Sequence, residues 1–488
     1  MLKIAKNAAE AVLNADLIAI FSTVTMFKES GERLLNELKF PSFAKFLEKA
    51  KPSGKSVYAE TMASDGLRHA LCLLPEKLSH HNSPTRRTAL YQSIAELQKD
   101  AKKIAIVVML EDHDHMHPLT AAVVRATQGE SRKKNAQEAE VSLLFVGKDG
   151  RPLRNPQSAE TVADIVRWVC RTVDTPPSEL TPKSMSEQAR KRFKGLPNVS
   201  VSEFVGQKLL TLNCGGIHAV GKAANEEPRM LIFDYHPKGA KRTAVICGKG
   251  VTFDTGGLSI KISGGMNNMK ADMAGAAAVF GAFELLVRSG FKHRVVAVGG
   301  LVENAVSPES MKPDDILLFH SGKTVEINNT DAEGRLVLGD CLSYACREYS
   351  PEVAIDAATL TGAQLVATGK HFAAIISNDD RLERIALESG RATGELTAAL
   401  PFAPEIFQDE FKSKMADMKN SVADRNNAQT SCAAQFIFSH IDDLDIDWLH
   451  IDLAGPSFIA DRATGFGTLL IADTVERYFK RDRNPVGH

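Results

Sequence analysis

The sequence has no C-x-x-C pair, no run of apolar residues near the roughly 18 needed to cross a bilayer, no internal repeat and almost no net charge. Each absence excludes a class of function. Its seven cysteines, Cys72, Cys170, Cys214, Cys247, Cys341, Cys346 and Cys432, are odd in number and mostly set in apolar surroundings such as AVIC247G. That pattern reads as reduced core thiols, not as a disulfide framework or a metal knuckle. Lys and Arg number 59 against 60 Asp and Glu, so no global basic field exists to hold nucleic acid or an anionic membrane. The first residues, MLKIAKNAAEAVLNADLIAIF, place Lys6, Glu10 and Asp16 where an export signal would need an apolar core, and the expected location is cytoplasmic.

The 488 residues are 44% apolar and 24% charged, the composition of a globular protein too long for one ordinary domain. Strand-length apolar runs at 17–23, 104–110 and 141–147 alternate with helix-like stretches such as 88–101. The segments 129–140 and 149–157 read as loops or exposed helix ends. Turn formers and charge in KDGRPLRNPQS suggest a boundary, giving an N-terminal αβ domain at 1–157 and a catalytic domain at 158–488. After a helix at 159–173, strands are expected at 243–247, 295–298, 353–357, 372–376 and 449–453. Helices are expected at 272–289, 336–349 and 433–441. Apolar strands alternating with helices indicate a two-domain α/β fold with a mainly parallel sheet covered on both faces. Ligands in such folds gather at the carboxyl ends of strands.

Polar residues crowd two such ends. In CGKGVTFDTGGLSIKISGGMNNMKAD the glycines at 248, 250, 256 and 257 suggest sharp turns, and LSIKI alternates so that Ser259 and Lys261 share one side. Asp272 stands at the mouth of an Ala-rich helix, where a carboxylate suits the dipole. The second cluster is NTDAEGRL at 329–336. If Asp331 and Glu333 act together, that segment is extended and the helix starts near Gly334 or Arg335. Four carboxylates, Asp254, Asp272, Asp331 and Glu333, call for cations if they converge, and two divalent ions roughly 3.5–4 Å apart would supply both compensation and chemistry. Beside dications the Lys249 amine would lose its proton and could itself ligate, while Lys261 and Arg335 stay cationic. Taken singly, these residues also read as turn and cap residues. A phosphate loop is disfavoured, because GKGVTFDTGG lacks the G-x-x-x-x-G-K-[ST] order. The histidines of EDHDHMH at 111–117 precede Pro118 and read as a loop without a functional site, His80 and His81 as a polar turn, and Trp168 and Trp448 as core aromatics.

At these residues the chain resembles the leucyl aminopeptidase family of dinuclear zinc exopeptidases. NTDAEGRL at 329–336, the glycine-lysine segment at 248–250, FDTGG at 253–257, MKADMAGAAAV at 269–279, VEN at 302–304, DAATLTGA at 356–363 and HIDLAGP at 450–456 carry the likeness, which spans roughly 160–488. The resemblance implies a metal-dependent aminopeptidase that removes the N-terminal residue, leucine or another apolar one, from peptides with a free N-terminus. It implies that Lys249, Asp254, Asp272, Asp331 and Glu333 hold two divalent ions, zinc first and manganese or magnesium as alternatives, with Asp254 and Glu333 bridging. A metal-bridged hydroxide would attack, Lys261 would stabilise the oxyanion, and Arg335 would hold a bicarbonate as general base. Met269, Asn329, Thr359, Leu360, Gly362 and Ala454 would line the substrate cleft, and the assembly would be a homohexamer. Two alternatives stand beside it, a divalent-metal phosphohydrolase and a catalytically silent structural hexamer of the same family. Two departures are plain. Ile262 stands where proline is common after the catalytic lysine. DMKNSVADRNNAQTSC at 417–432 replaces a glycine-rich stretch, which bears on side-chain preference and is expected to leave the metals untouched.

Overall fold

A computed structural model describes residues 2–99, 101–128, 131–134, 138–153 and 156–480. Part of the 129–140 loop, and Arg154 and Asn155 of the expected boundary, lie outside the described residues. The chain groups into two compact units, residues 1–167 with 390–396, and residues 168–389 with 397–488.

The first unit is built on β1 (Leu2–Ile4), β2 (Leu17–Ser22), β3 (Val57–Met62), β4 (Arg68–Leu73), β5 (Lys103–Met109) and β6 (Glu140–Val146), in the order β1-β6-β5-β2-β4-β3. All neighbours are parallel except β3 with β4. The inner strands β2, β4 and β5 are buried almost throughout, which is why β2 and β5 read as unbroken apolar runs, whereas β4, opened by Arg68 and His69, is a strand the sequence reading lacks. The histidine tract is not a loop: His113–His115 form a 3-10 turn that feeds the helix Met116–Ala126, with Pro118 in its first turn, where its missing N–H costs nothing.

The second unit contains β7 (Val199–Val205), β8 (Arg229–Tyr235), β9 (Thr243–Asp254), β10 (Arg294–Asn304), β11 (Ile316–Leu318), β12 (Thr324–Glu326), β13 (Val353–Ala358), β14 (Ala373–Ser377), β15 (Thr397–Ala399), β16 (Met418–Lys419) and β17 (Asp447–Asp452). Eight of these form a sheet in the order β15-β14-β17-β13-β9-β10-β8-β7, whose centre, β17-β13-β9-β10, is wholly parallel. The edges turn antiparallel at β14, β8 and β7. A small sheet, β11-β12-β16, stands apart. Trp448 on β17 is fully buried, and all seven cysteines are buried thiols that form no disulfide. No helix among the described residues is long and apolar enough to cross a membrane.

The structure also corrects the reading of two glycines. Gly248 and Gly250 make no turn; β9 runs straight through them to Asp254. They are small for a packing reason. A Cβ at Gly248 would overlap the backbone of Ala276, and one at Gly250 would overlap Leu301 and the Gly300 carbonyl. The helix Ala274–Arg288 therefore lies directly on the sheet, and its own Gly275 faces the Ala357 carbonyl of β13 just as closely. Helix propensity alone favours alanine over glycine by about 1 kcal/mol, but the obstacle at Gly275 is backbone and cannot swing aside. Gly275→Ala is therefore expected to destabilise the protein, with an overpacking cost of about 1–3 kcal/mol outweighing the propensity gain. A chemical denaturation midpoint measures it; a rise would refute the close-approach argument.

Candidate metal centre

Four parallel strands deliver the site at their carboxyl ends. β9 ends on Asp254 and carries Lys249 five residues earlier; β10 ends on Asn304; β13 runs into Thr359; β17 ends on Asp452. The β9–β10 register slips between Val302 and Asn304, so that Asn304 pairs with Asp254 after Val302 has paired with Val251. Such a bulge re-aims side chains at a strand end. Here the Asn304 Nδ2 donates to Asp254 Oδ1 at 2.8 Å and to the Thr330 carbonyl at 3.2 Å. The true turns follow at Gly256 and Gly257, both with positive φ, and Gly256 N–H closes back onto Asp254 Oδ1 at 2.9 Å. Residues 258–262 form no strand, yet their alternation survives: Leu258, Ile260 and Ile262 are exposed while Lys261 is only 17% exposed.

The second cluster approaches from the other side. The helix Gly334–Tyr349 begins immediately after Glu333. Residues 329–333 are a turn rather than an extended segment, and Asn329 Oδ1 receives the Asp331 N–H at 3.0 Å. Thr330 joins the two clusters: it accepts from Ser259 N–H at 2.7 Å and donates to the Gly256 carbonyl at 2.6 Å.

Oxygens of Asp254, Asp272 and Glu333 come within 4.8 Å of one another, all three residues being buried, and among the described residues no other group of three His, Cys, Asp or Glu does so. Lys249 Nζ lies 2.8 Å from Asp272 Oδ1, 2.9 Å from Glu333 Oε1 and 2.9 Å from the Thr359 carbonyl. Lys261 Nζ bridges Asp254 Oδ2 at 2.7 Å and Asp331 Oδ1 at 2.6 Å. Asp331 is thus tied in through Lys261, with its carboxylate partly open to solvent.

Burial pushes the carboxyl groups of Asp272, Glu333 and Asp331 above the usual range, and neighbouring carboxylates push in the same direction, against the pull of the lysines. Burial works against the Lys249 ammonium, but Asp272, Glu333 and Asp254 together outweigh it and hold the proton tightly. A lysine amine serves a metal only after a cation has displaced that proton. The donor set fits hard or borderline divalent ions, being oxygens plus one amine. Asp272 Oδ2, buried and without a hydrogen-bond partner, is an acceptor left for such an ion.

Arg335 is also buried and makes no ion pair among the described residues. Its Nη1 donates to the Asn420 carbonyl at 2.9 Å and its Nε has no partner. Burial lowers its pKa to about 10, so it stays cationic near neutrality and presents unspent donors to an anion.

The residues expected to line the cleft are held by this framework. Thr359 Oγ1 donates to Asp272 Oδ1 at 2.9 Å. Asp452, missed by the sequence reading, accepts from Leu360 N–H at 3.1 Å, Ala454 N–H at 3.2 Å and Thr361 Oγ1 at 2.7 Å, fixing two loops with one carboxylate. Gly362 faces open space, and Met269 opens the 3-10 turn Met269–Met273 that presents Asp272. Asn304, Thr330 and Asn420 were missed too. Within the polar 417–432 segment, Asn420 is fully buried against the turn carrying Asp331 and Glu333.

Comparison with known proteins agrees with this geometry. Residues 167–472, more than half of the chain, match the catalytic domain of the cytosol aminopeptidase family. The chain is 42% identical over 407 residues to probable aminopeptidase NPEPL1 of Homo sapiens, covering 82% of this chain and 77% of the human one. It is 35% identical over 412 residues to leucine aminopeptidase 1 of Caenorhabditis elegans, covering 84% of each. Its fold superimposes on leucyl aminopeptidase from Trypanosoma brucei in complex with bestatin with a TM-score of 0.89 at 33% identity, over 98% of this chain and 95% of that one. These relatives favour an aminopeptidase over a phosphohydrolase or a silent hexamer, and the chain belongs to the cytosol aminopeptidase family, the M17 metal-dependent aminopeptidases.

Proposed function

We propose that this enzyme releases the N-terminal residue, leucine or another apolar one, from peptides with a free α-amine, using two divalent ions held by Lys249, Asp254, Asp272, Asp331 and Glu333. Zinc would be the first choice, with manganese or magnesium as alternatives, and Asp254 and Glu333 would serve both ions. The observation that carries the reading is the buried meeting of Asp254, Asp272 and Glu333, carboxylates from three separated stretches, with an unpartnered Asp272 oxygen among them. When bound, the ions supply Lewis acidity and a water of lowered pKa, and a bicarbonate at Arg335 supplies a general base.

The chain's own residues do the rest. Lys261 keeps its ammonium because Asp254 and Glu333 outweigh the cost of its burial, so its Nζ serves as a fixed donor to the oxyanion. Arg335 orients the anion through donors that no protein group uses. Met269, Asn329, Thr359, Leu360, Gly362 and Ala454 line the cleft, and Asp452 keeps the 359–362 and 454 walls in place. Residues 1–157 form the N-terminal αβ domain and 158–488 the catalytic one, the assembly is a homohexamer, and the setting is cytoplasmic.

The test is a matched pair of aminoacyl amides, one with a free amine and one N-acetylated, assayed on protein whose metal content is measured. The free-amino substrate is expected to be cleaved and the blocked one to be inert. Equal cleavage of the two would remove the aminopeptidase reading.

A further inference from the structure

We infer that Asn420 is a positioning residue for the metal centre, its side chain fixing the turn that presents Asp331 and Glu333. The inference rests on the proposed ligand set. Its basis is how the ladder between β12 and β16 ends. The two strands pair in parallel at Val325 with Met418 and Glu326 with Lys419, and Asn420 N–H extends the pairing to the Glu326 carbonyl at 3.1 Å. Beyond that point the 328–333 backbone turns towards the site and main-chain pairing stops.

Side-chain amides take over. Asn420 Oδ1 accepts from the N–H groups of Asn328 at 2.9 Å and Asn329 at 3.3 Å, and its Nδ2 donates to the carbonyls of Asn329 at 2.7 Å and Ala332 at 3.3 Å. One amide therefore grips both ends of the turn that contains Asp331 and leads into Glu333. Asn328 and Ser421 add a reciprocal pair, at 2.9 Å and 3.1 Å, that imitates another rung. The Asn420 carbonyl takes Arg335 Nη1 at 2.9 Å, so the same residue also sets the guanidinium. Asn420 is 0% exposed and every polar group it has is spent on this contact. Truncation would strip the N–H groups of Asn328 and Asn329 and the Ala332 carbonyl of this partner and leave the Asn329 carbonyl only the Ala332 N–H, so that the carboxylates hang on backbone that is no longer fixed.

The experiment compares wild type, Asn420→Ala, Asn328→Ala and Glu333→Gln by equilibrium zinc titration against a chromogenic chelator, well below each protein's melting temperature. Groups that orient ligands typically contribute about 10- to 100-fold to metal affinity. Asn420→Ala is expected to lose affinity in that range while recovering turnover, with an unchanged KM, as zinc is raised to saturation. A residue with a merely structural role would shift the melting temperature but not the affinity of the folded protein. If Asn420→Ala does not fold, Asn328→Ala, which alters an exposed side chain and only the reciprocal pair, is expected to show a loss of about 10-fold, the low end of the same range. Affinity within twofold of wild type in the folded variants overturns the inference. Wild type that binds no zinc, or Glu333→Gln that binds as wild type does, overturns the ligand set on which it rests.

Discussion

Glu333→Ala and Asp254→Ala, made separately, are each expected to abolish stoichiometric metal binding and to lower turnover of a free-amino substrate by on the order of 10³ or more. The expectation follows from position. Both carboxylates lie at the buried centre of the cluster, and no other group of three potential ligands exists among the described residues to replace them. Neither change should unfold the protein. Glu333 precedes the helix Gly334–Tyr349 without making a side-chain cap hydrogen bond, so the helix start does not depend on it. Lys249 keeps Asp272 at 2.8 Å when Glu333 is lost, so the cost should fall below the roughly 3–5 kcal/mol of a buried charge left alone. Elemental analysis, a melting curve and a kinetic assay on one preparation decide the matter. Retained turnover in either variant overturns the site assignment.

Lys261→Ala is expected to keep both metals and slow turnover by about 10²–10³, the usual loss when one donor to a developing oxyanion is removed. Its effect should fall on kcat more than on KM, because the interaction matters most where charge develops. Asp254 should hold its place without the lysine, since Asn304 Nδ2 and Gly256 N–H both still bond its Oδ1. Asp331 loses its partner but is partly solvated. Lys261→Arg, which retains the charge, should recover part of the rate. Kinetics identical to wild type would remove the proposed role, and loss of metal alongside loss of rate would reassign Lys261 as a counter-ion that holds the cluster together.

Much of this was legible in the sequence because one physical rule governs both fold and site. The central strands are buried on both faces, so β9, β10, β13 and β17 read as apolar runs, and the polar residues that interrupt them at their ends mark the place where ligands gather. Asp254, Asp272, Asp331 and Glu333 stood out for that reason. One strand that escaped notice, β7, VSVSEFV, lies at an edge, alternates and is partly exposed, and a half-solvated strand resembles a polar loop. The buried inner strands β4 and β8 escaped as well, their apolar runs being cut short by Arg68 and His69 and by Asp234. Gly248 and Gly250 misled because a glycine's need for space and its need for a left-handed φ look alike in a sequence, and only the neighbouring helix distinguishes them. Asn304, Asn420 and Asp452 escaped because most of their partners lie far away in sequence, those of Asn420 some 90 positions earlier. Amides that bond main chain leave no pattern of spacing to read.

The slip in the β9–β10 register has a consequence for how this enzyme can be inherited and lost. The extra residue of β9 lies between Val251 and Asp254, so a one-codon deletion at Thr252 or Phe253 would leave Asn304 opposite Asp254 in an unbroken ladder while removing the local bend that aims the end of the strand. The site thus depends on an irregularity that folding alone would be free to smooth away.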